Sequence, residues 1–242
     1  MHNTTRFFII SEMKIAEIII SNPYLLLMME HLEINLEVRE KTIGQICSES
    51  SISTDLFLTI ANLFNGHKPS PAAVYSSDNI QTIIRYLENS HQYYLKEKYP
   101  QIKQYIEEIN KINNHAELLM LGKFFDKYFM EVAEHLDYEN EVVFPYVLNL
   151  NNQLTQKDPE NKVNSYSVTE YRLHHDDIEE KLNDLKNLLI KYMPQKDDRQ
   201  IRRKLLLCLF ELEYDLNIHS QIEESILIPL VEKMEHLAST GK

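Results

Sequence analysis

The chain has 242 residues, enough to bury a sizeable core in one large domain or a large and a small one, and its four glycines among abundant Leu, Ile, Glu, Lys and Asn suit an all-α protein. A formal net charge of −12 leaves no basic stripe to neutralise phosphates, so nucleic acid is not an expected partner. Cys47 and Cys208 form neither a disulfide framework nor a CxxC pair, which fits a reducing cytoplasm, and no apolar run reaches the roughly 20 residues of a membrane span.

"IAEIIISNPYLLLMM" is interrupted by Asn22-Pro23, and the apolar stretch in "MHNTTRFFIISEMK" is too short for a secretory signal. Short helices are expected over about 13–21 and 23–31, then in "TIGQICSES" and "STDLFLTIANLFNG". Thr42 with Gln45 reads as a capping box, and Gly66 as a helix stop. Residues 1–75 thus form a small helical N-terminal module. "GHKPSPAAVYSSDN", residues 66–79, gathers Gly, Pro and Ser without an apolar period and is the expected linker.

Beyond it, four long helical stretches are predicted over roughly 78–112, 114–150, 166–193 and 197–238, and their short connectors favour an up-down four-helix bundle over 76–242. Inward stripes at steps of three and four run along all of them. The first is Ile80, Ile84, Leu87, His91, Tyr94, and the second Leu118, Leu121, Phe125, Tyr128, Val132, His135, Glu139, Val142, Tyr146. The third is Val168, Tyr171, His175, Ile178, Leu182, Leu185, Leu189, and the fourth Leu205, Leu209, Leu212, Leu216, His219, Glu223, Ile226, Leu230. Each contributes one core histidine; His174, beside His175, continues onto a charged face.

The second and fourth stretches share a motif. "HLDYENEVVFPYV" begins at His135 and "HSQIEESILIPLV" at His219, 84 residues later, each with Glu four after the His and Pro ten after it. A lone His with Glu four residues on usually decorates a solvated face. Four imidazoles and two carboxylates on core stripes are different, because buried polar groups without partners cost about 1–3 kcal/mol each, and more when charged. Nitrogen and carboxylate donors together suit iron, manganese or zinc. Six exceed one tetrahedral zinc and divide between two metals about 3.5–4 Å apart, with Glu139 and Glu223 as bridges. Two iron ions are the preferred occupants, zinc or manganese remaining open. Pro145 and Pro229 are expected to kink the helix or weaken its last turns, or simply to mark its end.

The order His91, His135-x3-Glu139, His175, His219-x3-Glu223, with the tails "VVFPYV" and "LIPLV", resembles the hemerythrin-like cation-binding domain over about residues 76–242, and within it the di-iron repair of iron centres proteins. The resemblance implies a non-haem di-iron site with two His on each iron and two bridging Glu. Carried over by position, the ligands are His91, His135, Glu139, His175, His219 and Glu223. Members are linked to recovery of iron–sulfur clusters after nitrosative or oxidative stress, to nitric oxide chemistry and, in hemerythrins proper, to oxygen binding. His91 precedes Pro100 by nine residues where the family often shows eight. Repair proteins often carry an adjacent Cys pair near the N-terminus; here Cys47 stands alone among Ile43, Ile46 and Ile52 and reads as a buried structural thiol.

The expected function is therefore a cytoplasmic di-iron protein binding O2, NO or a related species, whether or not it is an enzyme. Expected partners are such a diatomic ligand and iron–sulfur proteins, with a homodimer as a further expectation. The alternatives are a metal-dependent sensor whose N-terminal helices form the output, and a plain bundle whose core polar groups pair with one another. Tyr94, Tyr128, Tyr146 and Tyr171 lie about a turn from proposed ligands, and core packing is their first reading. Residues 1–78 hold five Lys or Arg against nine Asp or Glu, which speaks against DNA binding there.

Overall fold

The computed structural model describes residues 7–68, 76–113, 116–156, 166–174 and 179–240. It is an all-α helical bundle; among these residues the extended pairing is a single isolated bridge, Lys14 with Thr42. The expected linker falls largely on residues 69–75, outside the described set, as does His175.

Four short helices come first: α1 (Ile15–Ser21), α2 (Leu25–His31), α3 (Ile43–Glu49) and α4 (Thr54–Phe64). The Thr42–Gln45 capping box forms as expected, the hydroxyl accepting from the Gln45 amide and the Gln45 side chain from that of Thr42. Ser53 caps α4, and Gly66 ends it in the left-handed region at φ 77°, where a side chain would be strained. Met28, Met29, Ile43, Cys47, Phe57 and Ile60 fill the space between these helices and are fully buried, worth roughly 1.5–3 kcal/mol each for the large side chains. Asn62 stitches the N-terminal strap to this core: its amide oxygen accepts from the Ile9 N–H and its amide nitrogen donates to the Ile9 carbonyl.

Four long helical runs follow. They are α5 (Ile80–Tyr93) with α6 (Tyr99–Asn113), α7 (Ala116–Tyr138) with α8 (Phe144–Gln156), α9 (Val168–His174) and α10 (Glu179–Asn187), and α11 (Arg199–Ile222) with α12 (Ile228–Thr240). The second runs on to Gln156, so the first six residues beyond the expected end at 150 are helical.

Every run contains one π-turn: Tyr94–Lys98, Glu139–Val143, Leu188–Tyr192 and Glu223–Leu227. Each begins six residues before a proline, namely Pro100, Pro145, Pro194 and Pro229. In each, the amide just ahead of that proline donates five residues back: Tyr99 to Tyr94, Phe144 to Glu139, Met193 to Leu188, Ile228 to Glu223. Proline lacks an N–H and its ring crowds the carbonyl four residues earlier, so a widened turn relieves the clash. This corrects the reading of Pro145 and Pro229 as helix ends, because α8 and α12 continue through them. Pro194 does end its helix, Met193 turning extended.

The extra residue in a π-turn shifts the inward stripe. Beyond Glu139 the core position passes to Val143, 1% exposed, and Val142 of the expected stripe is 37% exposed. On the other stripes, every described position is buried.

The chain forms two compact units, and their limits after Asn89, Pro145 and Asn217 fall inside helices. One comprises Met1–Asn89, Tyr146–Asn164 and Ile218–Lys242, where α4 packs on α2 and α3; the other comprises Ser90–Pro145 and Ser165–Asn217, where α7 packs on α6 and α10. In the second, the Tyr99 hydroxyl donates to that of Tyr128, and Arg202 donates to the Leu189, Met193 and Pro194 carbonyls that end the run after α10.

Candidate metal centre

Glu139 is the hub. It stands at the first residue of a π-turn, one helical turn after His135, on the stripe carrying Phe125, Tyr128 and Val132, so core burial of that stripe takes the carboxylate inside with 0% exposure. Its two oxygens divide their neighbours. Oε1 lies 3.3 Å from His135 Nε2 and accepts from the Tyr171 hydroxyl at 3.4 Å; Oε2 lies 3.3 Å from His91 Nε2. Burial alone would raise the Glu139 pKa, but hydrogen bonds and charge from His135 and His91 outweigh it and hold the carboxyl well below its usual range.

His91 is 0% exposed, comes from the end of α5, and has its ring stacked on Phe144 at 5.6 Å. Its Nδ1 lies 2.9 Å from Asn140 Oδ1, an oxygen that can only accept, so Nδ1 carries a proton and Nε2 is the nitrogen turned to Glu139. Nε2 faces the buried Glu139 Oε2 at 3.3 Å. A buried imidazole nitrogen and a carboxylate oxygen that face each other need a cation between them, either a proton or a metal ion. This donor set therefore fits a metal ion.

In the other copy of the motif, His219 Nε2 lies 3.5 Å from Glu223 Oε2, with both residues at most 3% exposed. Within one compact unit, His91 and Glu139 each offer a donor atom to the same place. A His/Glu group able to hold a metal is thus present. Of the six residues expected as ligands, His91, His135, Glu139, His219 and Glu223 are described with these contacts, and His175 lies outside the described residues.

Of the four tyrosines near the expected ligands, Tyr171 donates to Glu139. Tyr94 donates to Asp215, Tyr146 to Glu235, and Tyr128 pairs with Tyr99. Asn140 escaped the sequence reading, because a polar residue off the apolar stripe reads as surface. Its only signal was its place directly after a core glutamate. Both thiols are buried and stand apart from this chemistry, burial pushing Cys47 and Cys208 up to about 11. No helix among the described residues is long and apolar enough to cross a membrane.

No family model matches the chain. It is similar to the iron-sulfur cluster repair protein ScdA of Staphylococcus haemolyticus (strain JCSC1435), with 23% identity over 148 residues, 60% of this chain. The match spans 64% of that protein, so the likeness is distant and partial.

Proposed function

We propose that this chain is a non-haem di-iron protein of the hemerythrin-like kind, binding O2, NO or a related species and serving the repair of iron centres under nitrosative or oxidative stress. The observation that carries the reading is the Glu139 carboxylate, fully buried, with one oxygen at His135 and the other at His91. A carboxylate with an imidazole nitrogen at each oxygen suits bridging two cations, its negative charge offsetting their repulsion. The distant likeness to an iron–sulfur cluster repair protein supports the broader role; iron–sulfur proteins are the partners proposed with it.

In this reading His91, His135, His175 and His219 bind iron through imidazole nitrogen, and Glu139 and Glu223 bridge. Bound there, a pair of iron ions supplies a redox-active position for a diatomic molecule. The protein's share is to exclude water through the apolar stripes, to keep Glu139 ionised, and to hold Oε1 with the Tyr171 hydroxyl. The test is the metal content of protein purified without chelator, with its optical spectrum before and after O2 and NO. Close to two irons per chain and a ligand-dependent spectrum are expected. Metal-free protein, or a single zinc, defeats the proposal.

A further inference from the structure

Both nitrogens of His91 are engaged by consecutive residues of another helical run. Glu139 Oε2 lies 3.3 Å from Nε2, and Asn140 Oδ1 lies 2.9 Å from Nδ1. In a regular α-helix neighbouring side chains diverge by about 100° and do not share a target. Residues 139 and 140 open the π-turn that ends ahead of Pro145, where the angular step between side chains is smaller. The same turn delivers Phe144 to the face of the His91 ring, five residues after Glu139.

We propose that the π-turn ahead of Pro145 allows Glu139 and Asn140 to clasp His91 together, so that Asn140 and Pro145 are positioning residues of the metal centre. Asn140 sets the tautomer: by accepting from Nδ1–H it leaves the Nε2 lone pair for metal. Pro145 holds open the turn that gives Asn140 its reach. In the second copy of the motif the residue after Glu223 is Glu224, which is exposed. The π-turn ahead of Pro194 opens with Leu188 and carries no proposed ligand, so it provides a control. The inference rests on the metal-binding reading for its consequence, but the clasp itself is a property of the metal-free protein.

The experiment uses the full chain with 15N-labelled histidine, the His91 signals being identified by their loss in His91→Gln. In metal-free protein, nitrogen chemical shifts report which ring nitrogen carries the proton. Ferrous iron alone, added anaerobically, then gives the affinity by equilibrium dialysis. Wild type is expected to carry a proton on Nδ1, alone or together with one on Nε2. Asn140→Leu should lose that preference and bind iron about ten- to a hundredfold more weakly, Asn140→Asp should retain the tautomer because it keeps an acceptor, and Pro145→Ala should resemble Asn140→Leu. Pro194→Ala should match wild type in both readouts, and circular dichroism confirms that each variant folds. A wild-type ring protonated on Nε2 alone overturns the inference. So does an Asn140→Leu or Pro145→Ala protein with wild-type tautomer and affinity. If wild type takes up no iron, the di-iron reading fails by itself, and the tautomer still decides the clasp.

Discussion

The two copies of the His-x3-Glu motif share a spacing but differ in what surrounds the carboxylate. Glu139 has His135, His91 and the Tyr171 hydroxyl about it, with Asn140 holding the far side of His91. Glu223 pairs with His219 on its own helix, and Glu224 beside it is exposed. Both glutamates open a π-turn and give their carbonyls to the amide five residues on. A duplicated backbone device therefore presents the acid in both places, and among the described residues the partners brought from other helices are seen at Glu139.

Five predictions break or sharpen that comparison, beginning with the largest effect. Glu139→Ala should abolish iron uptake, and Glu223→Ala should leave a measurable fraction, as read by elemental analysis; equal retention in the two variants would make the copies equivalent. Next in size is the residue five after each acid. Phe144 and Ile228 are both buried, and in urea denaturation Phe144→Ala should cost about 3–5 kcal/mol and Ile228→Ala about 2–5 kcal/mol.

The stripe shift gives a sharper contrast. Val142→Asp, at a residue 37% exposed, should change stability by no more than about 0.5 kcal/mol. Its counterpart Ile226 is 0% exposed, so Ile226→Asp should cost several kcal/mol or prevent folding, by the same denaturation measurement. Tolerance of both would mean that the core has been misassigned in the second copy. Tyr171→Phe removes a neutral donor from Glu139 and should cost about 1 kcal/mol.

The smallest effect concerns the thiols, one in each compact unit. Burial raises both to about 11, so the neutral thiol dominates at pH 7–9 and the thiolate appears only as pH rises toward that value. Alkylation of native protein by iodoacetamide should be slow at pH 8 and equally slow at Cys47 and Cys208, and should accelerate on unfolding. Rapid labelling of either at pH 8 would show that its burial has been misread.

Much of the fold was legible because it depends on local chemistry. The capping box at Thr42 and Gln45, the Gly66 stop and the four long helical runs follow from side chains within a few residues of one another. The apolar stripes of the first and fourth runs could be read residue by residue, since three- and four-residue steps are a property of the α-helix itself. Val142 was misassigned because the π-turn at Glu139 passes the core position to Val143, whereas the same turn at Glu223 buries both Ile226 and Leu227. The regular interval from Glu139 to Pro145 and from Glu223 to Pro229 was present in the sequence, but its consequence needed backbone geometry.

The sequence by itself determined the helical class, the acidic surface charge and the pairing of each glutamate with the histidine four residues before it, because these depend on composition and helical period. Only the tertiary structure decided that His91 meets Glu139, that Asn140 takes the other ring nitrogen, and that Tyr171 bonds this carboxylate while Tyr94 goes to Asp215. Those contacts join residues tens of positions apart, and which side chains meet depends on how helices pack and where a widened turn changes the register, information that no local spacing contains.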